Sequence, residues 1–179
     1  MLDNDLIKLI ISTLIAGESG RGIAGTPIAQ AFQPTAQGTN TKPTAFLTKI
    51  SDHRYGFPLR QDVYDSVNEI MVHTEIQVYE SMFQLSTLAA QNPTTPQIYT
   101  ASDIANLCAS ILQSDAAMVL FQAQDVGIER VTDVRNPYFE DDHQRYEASP
   151  SFDFVMIHKQ IIGGTVPVLV TEEFGIYSI

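Results

Sequence analysis

The chain has 179 residues, 44% of them hydrophobic, which is enough for one domain with a sizeable core. Ten Lys and Arg against 21 Asp and Glu give a formal net charge of −11. This charge disfavours nucleic-acid binding and anionic membrane surfaces, since both depend on clustered cations. Cys108 is the single cysteine, which excludes an intrachain disulfide and a cysteine-based zinc cluster.

The first predicted element is an amphipathic helix over residues 6–16. Asp3 and Asp5 stand where a signal peptide carries cations, and Lys8 interrupts the apolar run. The run is also far shorter than the ~20 residues of a membrane-spanning helix. We expect Asp3, Asp5 or the asparagine between them to cap this helix and Gly17 to end it.

Residues 17–43 follow, rich in Gly, Ser, Thr, Gln and Pro. This composition predicts a segment that is flexible in the free subunit and that is a possible inter-subunit arm. Within it, residues 27–32 predict a short strand. The glycine-rich run at residues 17–22 lacks the spacing and the Lys-Ser/Thr pair of a phosphate-binding loop. We therefore expect residues 1–179 to form a single domain with one flexible segment.

Two strands are predicted next. Residues 44–51 alternate apolar and polar side chains and predict the first strand, which a turn at residues 53–58 ends. Residues 70–87 alternate as well, but the parity of the apolar positions shifts near Tyr79, which predicts a β-bulge there. We expect the two strands to be antiparallel neighbours.

The best helical pattern covers residues 102–113. Thr100 and Asp103 approximate a capping box at its start. Cys108 lies inside the apolar stripe of this helix, and no cation is near in sequence to stabilise a thiolate, so we interpret it as a buried structural thiol. Residues 115–124 predict a short additional helix.

Two further strands enclose a long polar connection. Residues 126–134 predict a half-buried strand, and residues 151–162 predict a strand with apolar side chains on both faces. Together the elements predict an α+β fold, with a single antiparallel or mixed sheet and two main helices packed on it.

A tight hairpin is predicted at Gly163 and Gly164, because two glycines separate two β-rich runs. The returning run would cover residues 165–171. Pro167 lacks the amide hydrogen that an interior strand needs, so this run is expected at a sheet edge.

The polar connection, residues 135–150, holds the only cluster of side chains that could form a metal-binding or hydrolytic site. Asp141, Asp142 and His143 are adjacent, but consecutive loop residues point in diverging directions, whereas metal ligands must converge. The four histidines lack a zinc-binding spacing. A solvated acidic loop is the favoured interpretation, and a small acidic hydrolase or metal-binding enzyme that uses these residues is the alternative. We predict no catalytic, cofactor-binding or metal-binding residue.

The same connection is a candidate docking surface, since loops held by rigid strands commonly carry recognition. Cations flank its acidic centre, where ion pairs between subunits would set the register of an assembly. The candidate interface residues are Arg135, Phe139, Glu140, Asp141, Asp142 and Arg145.

The segment RNPYFEDDHQRYEASPSFDF, residues 135–154, follows a helix in a small α+β chain. In this arrangement it resembles the neck or tail-terminator proteins of tailed bacteriophages, over roughly residues 72–160. The long segment 17–43 departs from a compact member of that family. The resemblance implies a tail-terminator-like fold and a structural virion protein that is not an enzyme and has no cofactor.

The resemblance also implies an assembly. Such a subunit forms a homomeric ring, usually of six copies, which caps the tail tube and joins the tail to the head. Its partners would be the tail tube protein, the head-side connector or stopper protein and, in some tails, the sheath. It would be made in the host cytoplasm and located in the virion neck, with DNA passing through the ring without specific binding. Another head-completion or connector protein is the alternative in the same biology.

Overall fold

The computed structural model describes residues 1–21, 25–30, 43–89, 99–140 and 146–167. Within these ranges the elements are α1 Asp3–Gly20, β1 Ile28–Gln30, β2 Thr44–Asp65, β3 Ile70–Leu88, α2 Ala101–Leu112, α3 Asp115–Gln122, β4 Gly127–Val131, β5 Tyr138–Glu140, β6 Tyr146–Ala148 and β7 Ser151–Pro167. A five-stranded sheet has the order β1-β2-β3-β7-β4, and β5 pairs with β6. Because β1 is parallel to β2 and the other pairs are antiparallel, the sheet is mixed and the predicted α+β class is confirmed.

The core lies between the helices and one end of the sheet. Buried aliphatic side chains of α1 and α2 meet Phe83 of β3 and Phe154 of β7, both fully buried. The rings of Phe83 and Phe154 stack with centroids 5.6 Å apart. The core residues of the long strands all fall within 45–47, 83–85 and 152–156, so the rest of those strands extends beyond the core.

Helix α1 starts and ends differently from the prediction. Its N-cap is Leu2, without a side-chain cap, and Asp3 and Asp5 lie in the first turn, where they complement the helix dipole instead. The helix passes Gly17 and continues to Gly20. A Cβ at Gly17 would lie 2.4 Å from Cγ2 of Ile111, so this glycine permits close packing of α1 on α2 and does not end the helix.

Helices α2 and α3 confirm the sequence patterns. Thr100 caps α2, and its reciprocal hydrogen bonds with Asp103 complete the predicted capping box. Cys108 is fully buried, and burial together with the nearby charge of Glu18 raises the pKa of its thiol to about 12. The thiol is therefore protonated at neutral pH, as a structural role requires. No single helix in the described ranges is long and apolar enough to cross a membrane, although α2 and α3, bent by 54°, reach that length and hydropathy together.

The turn predicted at residues 53–58 is wrong, because these residues belong to β2. The register of β2 against β3 shifts between Tyr55 and Leu59, where Gly56 has φ +66°. Phe57 stands out from this irregularity with 99% of its surface exposed. Pairing of β2 with β3 resumes at Leu59, because β3 continues alongside. The residues that predict a turn therefore form a bulge within β2.

The bulge predicted near Tyr79 is wrong as well. β3 pairs with β7 in unbroken register along its described length, and the irregularities lie in β2. The shift in parity has another cause. Phe83 faces the helices, whereas Ile76 and Val78, at even positions, face the opposite side of the sheet. The apolar side of β3 therefore changes from one face to the other.

The hairpin predicted at Gly163 and Gly164 is also wrong. β7 runs through both glycines without a turn, since Gly163 pairs with Thr74 and Gly164 pairs with His73. Residues 165–167 belong to the same strand, and residues 168–171 lie outside the described ranges.

Only parts of the segment 17–43 fall within the described ranges. Residues 17–20 complete α1, and the predicted short strand is confirmed as β1, which pairs with residues 45–47 of β2. The remaining expectation, flexibility across residues 31–42, lies outside the described residues.

Candidate functional site

The most prominent surface is a three-stranded projection formed by residues 55–65 of β2, 70–78 of β3 and 159–167 of β7. The rows of paired residues run from Tyr55–Val78–Lys159 at its base to Asp65–Ile70–Pro167 near its tip. At about 3.3 Å per residue, the projection is roughly 27 Å long. Asp65 closes the tip by accepting hydrogen bonds from the amides of Val67 and Asn68.

One face of the projection is polar and carries ion pairs. Directly paired residues in antiparallel strands place their side chains on the same face. On this face Arg60 lies 2.9 Å from Glu75, and His73 lies 2.6 Å from Asp62. The hydrogen bond with Asp62, followed by that with Glu75, raises the pKa of His73. These exposed pairs set the register of the strands and leave this face well solvated.

The opposite face of the projection is apolar. Leu59, Ile76 and Ile161 form a cross-strand row near its base, and two of them, Leu59 and Ile161, are each 63% exposed. The apolar residues of this face are Tyr55, Leu59, Val63, Ile70, Val72, Ile76, Val78 and Ile161, with the polar pair Gln61 and Thr74 between the rows of Leu59 and Val63. Exposed apolar side chains grouped on a sheet face commonly mark an interaction surface, so this face is the strongest candidate for one.

Both lateral edges of the projection are open among the residues that the structure describes. β1 pairs only with residues 45–47 of β2, and β4 pairs only with residues 154–157 of β7. Pro167 therefore lies in an edge stretch, as its missing amide hydrogen predicts. Open ladder edges are templates for further strands.

A partly buried polar cluster lies at the base of the projection and was missed by sequence reasoning. Ser81 donates a hydrogen bond to Asp52, and its Oγ lies 3.0 Å from Nε2 of His158. Burial, followed by the charges of the N-terminal amino group and Lys49, lowers the pKa of His158. The three residues lie on three different strands, so no spacing in the sequence reveals them.

This cluster does not have the geometry of a nucleophilic triad. In such a triad the carboxylate orients the histidine through its second ring nitrogen. Here Asp52 accepts from Ser81 instead, and Nδ1 of His158 has no partner within the described part of the chain. Ser81 is also fully buried. The cluster therefore ties the three long strands together.

An open cavity of about 670 Å³ adjoins the cluster, between the start of α1 and the polar face of the sheet. Its floor holds Tyr79, whose ring stacks on His158 with centroids 5.7 Å apart. Lys49 bridges Asp3 of α1 and Asp52 of β2 at 2.7 and 2.6 Å. Oppositely charged side chains thus compensate one another here, and they dock α1 onto the sheet.

Only some of the interface residues predicted from sequence lie within the described ranges. Arg135 lies on the body and forms an ion pair with Asp153 of its own chain. Phe139 and Glu140 lie in β5, which pairs with β6, so the predicted polar connection contains two short antiparallel strands. Asp141, Asp142 and Arg145 lie outside the described ranges, together with His143. Among the described residues, no group of three or more His, Cys, Asp or Glu is placed to hold a metal ion.

Comparison with known proteins gives one family. The family model described as E217 gateway protein gp29 matches residues 5–168. The match spans nearly all of α1, the whole projection and all of β7. No curated protein matches the chain.

Proposed function

Because the chain belongs to the phage gateway protein family of E217 gp29, we propose that it is a ring-forming subunit that caps the tail tube and joins it to the head connector. The family makes it a structural component of the phage head–tail junction. In detail, the proposal gives the protein a closed ring of six copies at the tail-terminator position. The partners of each subunit would be a homomeric neighbour on either side, the tail tube protein and, at the head side, the connector or stopper protein.

The projection is the observation that carries the proposal. It places three exposed strands roughly 27 Å beyond the core, and its apolar face would be poorly hydrated in an isolated subunit. A head-to-tail contact between two dissimilar surfaces closes into a ring when the rotation per subunit permits. The predicted interface from Arg135 to Arg145 would then face the head or the tail.

The acidic composition fits a subunit through which DNA passes. With a net charge of −11, the ring would repel the phosphate backbone. We expect no change in the fluorescence anisotropy of a labelled DNA duplex when micromolar protein is added at physiological salt. A basic protein of similar size is the positive control. A shift that disappears as the salt concentration rises would contradict the expectation.

The decisive experiment removes the gene from the phage and supplies the chain from a plasmid. Without the protein we expect filled heads and tails that remain separate, with infectivity lost. The wild-type plasmid should restore joined particles, and averaged electron micrographs of those particles should show sixfold density for this protein at the neck. An empty plasmid is the control.

Two results would refute the proposal. Normal joining without the protein would remove it from the head–tail junction. Density for the protein elsewhere in the virion, with none at the neck, would do the same.

A further inference from the structure

Helix α3 presents a second uncovered apolar surface, distant in sequence from the projection. Val119 is 64% exposed and Leu120 is 45% exposed, on a helix whose buried side holds Phe121. The exposed apolar residues at helical spacing are Ala116, Val119, Leu120 and Ala123, which we call the α3 stripe. Helices on a protein surface normally turn polar residues to solvent, so the stripe indicates a contact.

We propose that the apolar face of the projection docks on the α3 stripe of the next copy of this chain. The inference rests on the proposed function, because it identifies the contact from which the ring is built. Each copy then offers its projection to one neighbour and its α3 stripe to the other. The contact is heterologous, as ring closure requires.

The two surfaces match in size. At 1.5 Å per residue, α3 is roughly 12 Å long. Three strands spaced about 4.8 Å apart present a face of similar width, so α3 can lie across the row Leu59–Ile76–Ile161. A groove of about 310 Å³ between α1 and α3, lined in part by Gly17 and Leu120, borders the stripe and has room for one apolar side chain.

The charges are compatible with this pairing. Lys159 lies on the apolar face, in the row of Val78, and is exposed. The stripe is flanked by Asp115 and Asp125, and residues 113–126 contain no Lys or Arg. The head-to-tail arrangement can therefore bring Lys159 next to an acidic side chain.

The contact is expected to be weak on its own. A helix of roughly 12 Å covers only part of a sheet face of roughly 27 by 14 Å, so the contact is less than half of the ~800 Å² per partner in a standard stable interface. Several such contacts closing on a tail end would hold the ring, whereas two free copies would separate. This is why the test uses assembled particles.

The test is cross-linking between two single-cysteine variants. Ile161→Cys labels the projection, and Val119→Cys labels the α3 stripe. The native Cys108 is fully buried, so we expect it not to react with the cross-linker. Both variants are supplied together to a phage that lacks the gene, and the particles are treated with a short bis-maleimide. We expect a cross-linked dimer from the mixture and none from either variant alone.

The matched control is Ile162→Cys. Its side chain lies next to Ile161 in the same strand but on the polar face, and it is similarly exposed at 57%. Mixed with Val119→Cys, it should give no dimer. An equal yield from this control would overturn the proposal, and so would a dimer from Ile161→Cys alone, which would indicate a twofold contact.

Failure of the inference and failure of the proposed function are distinguishable. If particles join only when the chain is supplied, yet the mixture gives no cross-link, the function stands and this contact is refuted. If particles join without the chain, the proposed function itself falls. If Ile161→Cys prevents the joining of heads and tails, Ile161→Val serves as a second variant. It keeps an apolar side chain at this position, so we expect it to restore joining.

Discussion

Replacing Phe154 with alanine is expected to lower the free energy of unfolding by about 3–5 kcal/mol, the usual cost of removing a buried aromatic side chain. Phe154 is fully buried where the helices meet the sheet, and its ring contacts Phe83 and Phe152 at centroid distances of 5.6 and 6.0 Å. The strand β7 cannot close the resulting space, because pairing on both sides holds its backbone. Urea unfolding followed by circular dichroism measures the loss.

Phe57→Ala is the matched control for this variant. It removes the same side chain from the projection, where Phe57 is 99% exposed. We expect the free energy of unfolding to change by less than about 0.5 kcal/mol. Equal effects of the two substitutions would show that the core is not where the structure places it.

Replacing Glu18 with glutamine is expected to stabilise the protein above pH 7 and to have little effect near pH 5. Glu18 is 2% exposed, accepts a hydrogen bond from the amide of Thr26 and leaves Oε1 without a partner among the described residues. Burial raises the pKa of this carboxyl from 4.5 to about 7, against the smaller opposing effect of Thr26. The folded state therefore favours the neutral acid.

The sign follows from proton linkage. Between pH 4.5 and 7 the folded state holds a proton that the unfolded state has released, so the free energy of unfolding falls as the pH rises through this window. The full difference is on the order of 3 kcal/mol. Glutamine carries no charge at any pH, so in the variant this position no longer lowers the free energy of unfolding as the pH rises.

Thermal or urea unfolding at pH 5 and pH 8 measures the effect as a difference between variant and wild type. The difference is needed because His158 titrates in the same region with the opposite sign: burial lowers its pKa from 6.5, so its contribution is lost as the pH falls. Glu129→Gln, at an exposed position of β4, is the control. Equal pH dependence in the Glu18 variant and the wild type would contradict the assignment.

The sequence predicts the body of the fold well, because its signals there are local. The capping box at Thr100, the apolar stripe around Cys108 and the short strand at residues 28–30 each depend on near neighbours. The projection depends on rows such as Leu59–Ile76–Ile161, whose members are far apart in the chain. Pairing with β3 overrides the turn signals at Gly56 and Gly163.

One sequence signal did point to the candidate site and was misinterpreted. The shift in the parity of apolar residues near Tyr79 predicts a bulge only if the same face of the strand stays buried. The structure shows that the apolar side passes from the helix face, at Phe83, to the opposite face, at Ile76. A strand whose apolar side changes along its length leaves one domain core and enters a second contact.

The open edges of the projection have a consequence for the period before assembly. In the part of the chain that the structure describes, a newly made copy exposes an apolar sheet face and two strand edges without a further strand, which are the features that promote irregular aggregation. The net charge of −11 opposes this by making copies repel one another at long range. Screening by salt weakens that repulsion, so the concentrated free protein should become less colloidally stable as ionic strength increases, well before any loss of its fold.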